Sequence, residues 1–111
     1  MTLQDEGSLL RIFIGETDHK DGMPLYEWIV REAKTAGIAG ATVLRGIEGY
    51  GKHRKIHSAK ILQLSTDLPI VVELIDTLEK IDAFMPILEN ALEEGLITQE
   101  KANIRLIKSR K

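Results

Sequence analysis

The segment GATVLRGIEGYGKHRKIHSAK, residues 40–60, concentrates the residue types that bind anions. It contains Gly46, Gly49 and Gly51, and its part from residue 45 to 60 carries a net charge of +4. The rest of this acidic chain therefore sums to −6. Glycine adopts positive φ and lets backbone N–H groups approach an anion, while Lys and Arg supply charge. The segment predicts a small-anion or phosphate site, or a docking surface for an acidic partner, with a merely solvated basic loop as the alternative.

Arg45 is the first basic residue of this segment and stands at the end of a predicted strand. It is either an anion ligand or the partner of a carboxylate within the fold, for which Glu48 and Glu73 are candidates. Glu16 follows the first predicted strand, so it lies either beside Arg45, where strand ends cluster, or exposed in a loop. Tyr50 could stack on a base or pack at a subunit contact.

Other residues give no pattern typical of a catalytic or metal centre. The chain has no cysteine, which excludes disulfides and thiolate chemistry. No serine stands in a recognisable arrangement with an activating histidine, and neither a P-loop nor a nucleophile elbow occurs. His53 and His57 have a spacing that suits metal ligands on a helix, but cations surround them and no third ligand is near in sequence. We therefore expect neither an enzyme nor a metal site.

Bulk composition indicates one globular domain. The chain has 111 residues, of which 43% are hydrophobic and 29% charged. No apolar run approaches the ~20 residues of a membrane span, and the polar start is not a secretory signal, so we expect a cytoplasmic protein without membrane insertion. The overall net charge of −2 argues against a nucleic-acid partner. We predict a polar N-terminal tail over residues 1–8 and a single domain over residues 9–109.

Hydrophobic periodicity predicts the elements that position these residues. It indicates strands over 9–15, 39–47, 69–77 and 102–109, and helices over 24–36 and from 77 to about 95. Pro86 predicts a kink or a restarted turn in the second helix, and the structure of 58–64 stays open. The order predicts an α+β, ferredoxin-like βαββαβ sandwich: a four-stranded antiparallel sheet with two helices on one face. The other face carries Phe13 and other apolar residues, so we expect self-association to cover it.

The segments LRIFIGE, PLYEWIVREAKTAGIAGATVLRGIEGYG and IHSAKILQLSTDLPIVVELIDTLEKIDAF resemble domain-of-unknown-function family 190 (DUF 190). The resemblance covers residues 9–108. That family is described as similar to the PII signalling proteins, which are ferredoxin-like trimers that bind adenine nucleotides in clefts between subunits. Their long T-loop docks onto transporters or enzymes. The resemblance implies a PII-like homotrimeric regulatory protein that senses a small anionic ligand.

The resemblance also assigns roles to residues. A glycine–aromatic–glycine element begins the T-loop of PII proteins, and Gly49-Tyr50-Gly51 matches it, so the T-loop equivalent spans residues 48–58. The implied residues of the ligand cleft are Arg45, Gly46, Gly49, Tyr50, Gly51 and Lys101. The implied surface for a partner, such as a membrane transporter or channel, consists of Lys52, Arg54 and Lys55.

The phosphate loop of PII proteins, between the second helix and the last strand, is rich in glycine and lysine. The matching segment here, EEGLITQEKAN, offers Gly95 and Lys101 alone. A smaller adenine nucleotide or another anion is therefore expected rather than a triphosphate.

Three other functions stay open from the sequence. A chain with this fold could be a ligand-free structural or docking adaptor, or a small trimeric enzyme or metal-tolerance-type protein. It could also bind RNA, but that role needs exposed aromatic residues on the central strands, where Phe13 is the one candidate.

Overall fold

Strand pairing organises the fold in a computed structural model of the chain, which describes residues 4–51, 57–58 and 67–105. In chain order the elements are β1 (Gln4–Gly15), β2 (His19–Lys20), β3 (Met23–Pro24), α1 (Leu25–Thr35), β4 (Gly40–Arg45), β5 (Glu48–Gly49), β6 (His57–Ser58), β7 (Pro69–Asp76), α2 (Leu78–Ala91) and β8 (Leu96–Arg105). The main sheet has the order β4-β7-β1-β8, and every neighbouring pair is antiparallel. This arrangement confirms the predicted α+β ferredoxin-like sandwich.

The core lies on one face of the sheet because side chains alternate along β1 and β7. The strands bury Leu10, Ile12 and Ile14 together with Ile70, Val72 and Leu74. Both helices pack on this same face and complete the core with Leu25, Ile29, Ala33, Ile81, Phe84 and Leu88. Each fully buried large apolar side chain contributes about 2 kcal/mol, so this layer supplies most of the driving force for folding.

The end of α1 and the start of α2 have residues that satisfy backbone hydrogen-bonding groups of the helix. After α1, the N–H of Gly37 donates to the Lys34 carbonyl at 3.1 Å, with a φ of 80° that favours glycine. At the start of α2, the Thr77 hydroxyl accepts a hydrogen bond from the Lys80 N–H at 3.3 Å. The helix α2 continues past Pro86, so the predicted restarted turn is not formed, and the predicted kink stays a prediction.

Two strands are longer than their sequences predict. The strand β1 begins at Gln4, so part of the predicted tail over residues 1–8 belongs to the sheet. The strand β8 begins at Leu96, although LITQEK was expected to be a connector. The pairing of the two strands explains both differences, because residues 4–13 of β1 and 96–105 of β8 supply each other's hydrogen-bond partners.

A short hairpin lies between β1 and α1. The strands β2 and β3 pair across Asp21 and Gly22, whose φ values are 52° and 79°. Two successive positive φ values fit the Asp-Gly turn that joins tight hairpins. This hairpin leads directly into α1, because the Leu25 N–H donates to the Asp18 carbonyl at 2.7 Å.

Candidate anion-binding site at one end of the sheet

An ion pair between Arg45 and Glu16 lies at one end of the sheet. Arg45 pairs with Ile70 in β7, and Ile70 pairs with Ile14 in β1, so the pair spans the beginning of β7. Arg45 Nη2 lies 2.6 Å from Glu16 Oε2, and the two side chains are 61% and 22% exposed. The interpretation of Glu16 as an unpaired loop carboxylate is therefore wrong, whereas the clustering of strand ends is confirmed.

Backbone hydrogen bonds hold Glu16 in place. Its N–H donates to the Leu68 carbonyl at 2.9 Å. The next N–H, of Thr17, donates to Asp67 Oδ1 at 3.1 Å. The chain that follows β1 is thus fixed to the residues that precede β7. The backbone of Glu16 therefore has a defined position, which limits where its carboxylate can lie.

Pro69 ends the pairing of β4 with β7. The Gly46 N–H donates to the Pro69 carbonyl at 2.7 Å, one residue beyond the last pair, Arg45 with Ile70. Proline has no N–H to return the second hydrogen bond of such a pair, so the ladder stops there. The Gly46 N–H is used by this bond, and the assignment of Gly46 to the lining of the ligand cleft stays a prediction.

Gly46 and Gly49 allow close packing against Pro69, and neither residue has a positive φ. A Cβ on Gly46 would lie 2.8 Å from Pro69 Cγ, and one on Gly49 would lie 3.1 Å from the same atom. The chain can cross the proline ring here because both residues lack a side chain. A Cβ on Gly51, by contrast, would meet no atom of the described residues within 4 Å. Among the described residues, the glycines with positive φ are elsewhere, at positions 22, 37 and 95.

A two-stranded ribbon extends beyond Arg45. Glu48 pairs with Ser58 and Gly49 with His57, so β5 and β6 form its base. Tyr50 follows this base and is 68% exposed. The predicted T-loop-like segment, residues 48–58, begins and ends at this base, and its docking role stays a prediction. Lys52, Arg54 and Lys55, like most of the segment 58–64, lie outside the described residues.

Lys101 lies far from Arg45 within one chain. Lys101 is in β8, the edge strand on the opposite side of the sheet from β4, and it pairs there with Ser8 of β1. Three strand spacings and six residues along the strands separate the two side chains, a distance on the order of 20 Å. The segment that matches the PII phosphate loop in position thus belongs to an edge strand from Leu96 onward, and a single chain does not bring Lys101 to the site.

Glu73, predicted as a possible partner of Arg45, pairs with Arg11 instead. Arg11 Nε donates to Glu73 Oε2 at 3.0 Å, and its Nη1 donates to Glu100. These hydrogen bonds, the one to Glu73 first, raise the pKa of the Arg11 guanidinium above its ordinary value. This charged cluster lies across β7, β1 and β8 on the open face, away from the Arg45 site.

Neither a group of metal ligands nor a membrane-spanning helix occurs in the part of the chain that the structure describes. No three His, Cys, Asp or Glu side chains are grouped there so that they could hold a metal ion. None of the helices described has the length and apolar character needed to cross a membrane.

Comparison with known proteins identifies the family. Residues 7–104 match DUF190, a family described as an uncharacterized ACR. The chain belongs to the DUF190 family. Among its relatives, a UPF0166 protein of Aquifex aeolicus (strain VF5) is 44% identical over 96 residues, which cover 86% of this chain and 90% of the relative. A UPF0166 protein of Methanocaldococcus jannaschii is 37% identical over 93 residues, covering 83% and 85%.

Solved structures similar to this DUF190 chain are PII-like. CPII, a nitrogen regulatory PII-like protein from Thiomonas intermedia K12 solved with ADP, AMP and bicarbonate, superposes with a TM-score of 0.60 at 18% identity. The match covers 89% of this chain and 88% of CPII. CPII with ADP, AMP and acetate gives a TM-score of 0.58 at 16% identity, covering 92% and 91%. The DUF190 chain therefore has the PII-like fold.

Proposed function

We propose that this DUF190 protein is a cytoplasmic, non-enzymatic PII-like regulator that senses a small anion, such as an adenine nucleotide, beside Arg45. The observation that carries the proposal is the position of Arg45: an exposed guanidinium on the last residue of β4, shortly before β5, where the segment of residues 48–58 begins. A ligand bound there would contact the base of the segment proposed to signal. CPII, solved with ADP, AMP and bicarbonate, supports the class of ligand.

The residues near the ribbon base suit a nucleotide better than a bare ion. The Arg45 guanidinium has five N–H donors, and the Glu16 contact engages Nη2, so other donors can bind phosphate or carboxylate oxygens. Tyr50, mostly exposed, offers a ring on which a base could stack.

Self-association is the second part of the proposal. One complete row across the open face is apolar, because Leu44 pairs with Val71, Val71 with Phe13, and Phe13 with Leu96. Leu44, Phe13 and Leu96 are 48%, 36% and 60% exposed in the single chain. Burying this row against further copies is favourable, and a homotrimer would create clefts in which Lys101 of one copy faces Arg45 of another.

The basic residues Lys52, Arg54 and Lys55, which lie in the sequence between β5 and β6, are proposed to contact an acidic surface of a partner, such as a membrane transporter or channel. Ligand binding at the ribbon base would then change which ribbon conformation is populated. A ligand-free docking adaptor is the second candidate. The edge-strand position of Lys101 favours it, because one chain lacks a phosphate loop of the PII kind.

Calorimetric titration with ADP, AMP and bicarbonate tests the proposal. We expect wild-type protein to bind at least one of them, and Arg45→Gln to weaken that binding about tenfold or more, since hydrogen bonds to charged groups contribute about 1.5–3 kcal/mol. Arg31→Gln is the matched control, because Arg31 is also exposed and pairs with a glutamate, Glu27, at 3.0 Å. Its binding should equal that of the wild type.

Two results would contradict the proposal. If the wild-type protein binds none of the three ligands, the docking adaptor becomes the better description. If a ligand binds equally well to Arg45→Gln and to the wild type, the sensing site lies elsewhere on the molecule.

A further inference from the structure

The Arg45–Glu16 ion pair has a consequence for ligand affinity that the proposed function does not contain. Arg45 Nη2 already holds a carboxylate oxygen, Glu16 Oε2, at 2.6 Å. An anionic ligand that binds this donor must take the place of Glu16, and one that binds the remaining donors of Arg45 meets the negative charge of Glu16 beside it. We infer that Glu16 is an internal competitor that occupies Arg45 and sets the affinity of the site. This inference rests on the proposed function.

The geometry makes Glu16 an effective competitor. Its N–H is bonded to the Leu68 carbonyl, and its neighbour Thr17 is bonded to Asp67, so the carboxylate stays within reach of the guanidinium. Arg45 is fixed on its own side by the pairing with Ile70. A tethered carboxylate has a high effective concentration near the guanidinium. A dissolved anion of the same chemistry must therefore reach a comparably high concentration to displace it.

Exposure keeps the competition reversible. The Arg45 side chain is 61% exposed, so the pair is accessible to water and to a ligand. In an exposed ion pair of this kind, the paired state is about one to five times as populated as the unpaired state. The apparent dissociation constant of a ligand that needs the unpaired arginine is then raised by about two- to sixfold. Glu16 therefore moderates binding without preventing it.

The test compares ADP titrations of four proteins. Glu16→Gln removes the competing charge and should bind ADP about two- to sixfold more tightly than the wild type. Glu16→Asp keeps the charge but shortens the side chain by one methylene, so its affinity should fall between the two. Glu27→Gln is the control for net charge, because it removes one carboxylate from the exposed pair with Arg31. Its affinity should be unchanged.

A measurement without ligand checks the pair directly. The Arg45 side-chain Nε–H signal in a nitrogen-correlated NMR spectrum should move when Glu16 is replaced by Gln, and stay in place when Glu27 is replaced. Thermal unfolding of each variant establishes that it is folded. An Arg45 signal identical in the wild type and Glu16→Gln would overturn the inference whatever the titrations give.

The outcomes separate this inference from the proposed function. ADP binding that is lost in Arg45→Gln but equal in the wild type and Glu16→Gln overturns the competitor role and leaves the sensing site intact. Equal tightening by Glu27→Gln also overturns it, since net charge alone would explain the gain. Absence of ADP binding to both the wild type and Glu16→Gln overturns this inference and ADP sensing together.

Discussion

At the scale of single residues, Asp76 is the most constrained charged side chain among the described residues. It is fully buried at the end of β7. Its Oδ2 accepts a hydrogen bond from the Ala39 N–H at 2.8 Å, and its Oδ1 accepts one from the Thr77 N–H at 2.6 Å. One carboxylate thereby joins the chain that enters β4 to the residue that caps α2.

We predict that Asp76→Ala lowers the free energy of unfolding by about 2–4 kcal/mol, because two backbone donors lose a charged acceptor. Urea unfolding at fixed protein concentration measures the change. Asp82→Asn is the control, since Asp82 is exposed and accepts a weak hydrogen bond from Gln99 at 3.4 Å. It should change stability by less than about 0.5 kcal/mol. An equal effect of the two substitutions would refute this role for Asp76.

The candidate site shows which residues a sequence can indicate. Arg45 is recognisable because it is charged and stands between a strand and glycines. Glu16 is 29 residues earlier in the chain, and its contact with Arg45 follows from the order of strands in the sheet. Pro69 is harder to find, since nothing in its sequence neighbourhood shows that Gly46 and Gly49 cross its ring.

At the scale of elements, the base of the ribbon depends on the fit between glycine and proline. We predict that Gly46→Ala destabilises the protein by about 1–3 kcal/mol, because its Cβ would meet Pro69 Cγ at 2.8 Å. Pro69→Ala in the same chain should recover part of this loss, since it removes the atom in conflict. A double-mutant cycle with urea unfolding measures the coupling between the two positions.

Gly51→Ala is the control for this prediction, because a Cβ there meets no atom of the described residues within 4 Å. Its effect on stability should stay within about 0.5 kcal/mol. Additive effects of Gly46→Ala and Pro69→Ala would mean that the two residues do not compete for space.

The sequence predicts the inner strands and both helices well, because their apolar residues recur with a clear period. It predicts the ends of β1 and all of β8 less well. The strand β8 reads LITQEKANIR, with mostly exposed side chains and no strict alternation. Its conformation is decided by pairing with β1, which is distant in sequence, so local propensity carries little information.

At the scale of the whole molecule, the open sheet face combines two kinds of row. Beside the apolar row of Leu44, Val71, Phe13 and Leu96 lies a polar row formed by Thr42, Glu73, Arg11 and Thr98. The apolar row favours association, whereas the charged cluster of Arg11 requires that a partner surface leave it hydrated or complement it. Such a mixture favours one docking geometry over others.

We predict that Leu44→Glu converts the proposed trimer to smaller species, because it places a charge in the apolar row. Sedimentation velocity over a range of protein concentrations measures the change. Leu78→Glu is the matched control: Leu78 is 54% exposed, close to the 48% of Leu44, but begins α2 rather than lying in the sheet. Its sedimentation should equal that of the wild type. Unchanged association of Leu44→Glu would exclude the apolar row from the interface.

Pro69 also disfavours a shifted register between β4 and β7. Along β7 the side chains alternate so regularly that a slip of two residues against β4 would leave every side chain on its proper face. A slip in one direction would place Pro69 opposite Leu44, inside the ladder, where its missing N–H leaves a bond unmade. A slip in the other direction would draw Thr77 into the ladder and remove the cap of α2. Pro69, at the start of β7, and Thr77, directly after its end, thus each disfavour a slip in one direction, so the observed register of β4 against β7 is the favoured one.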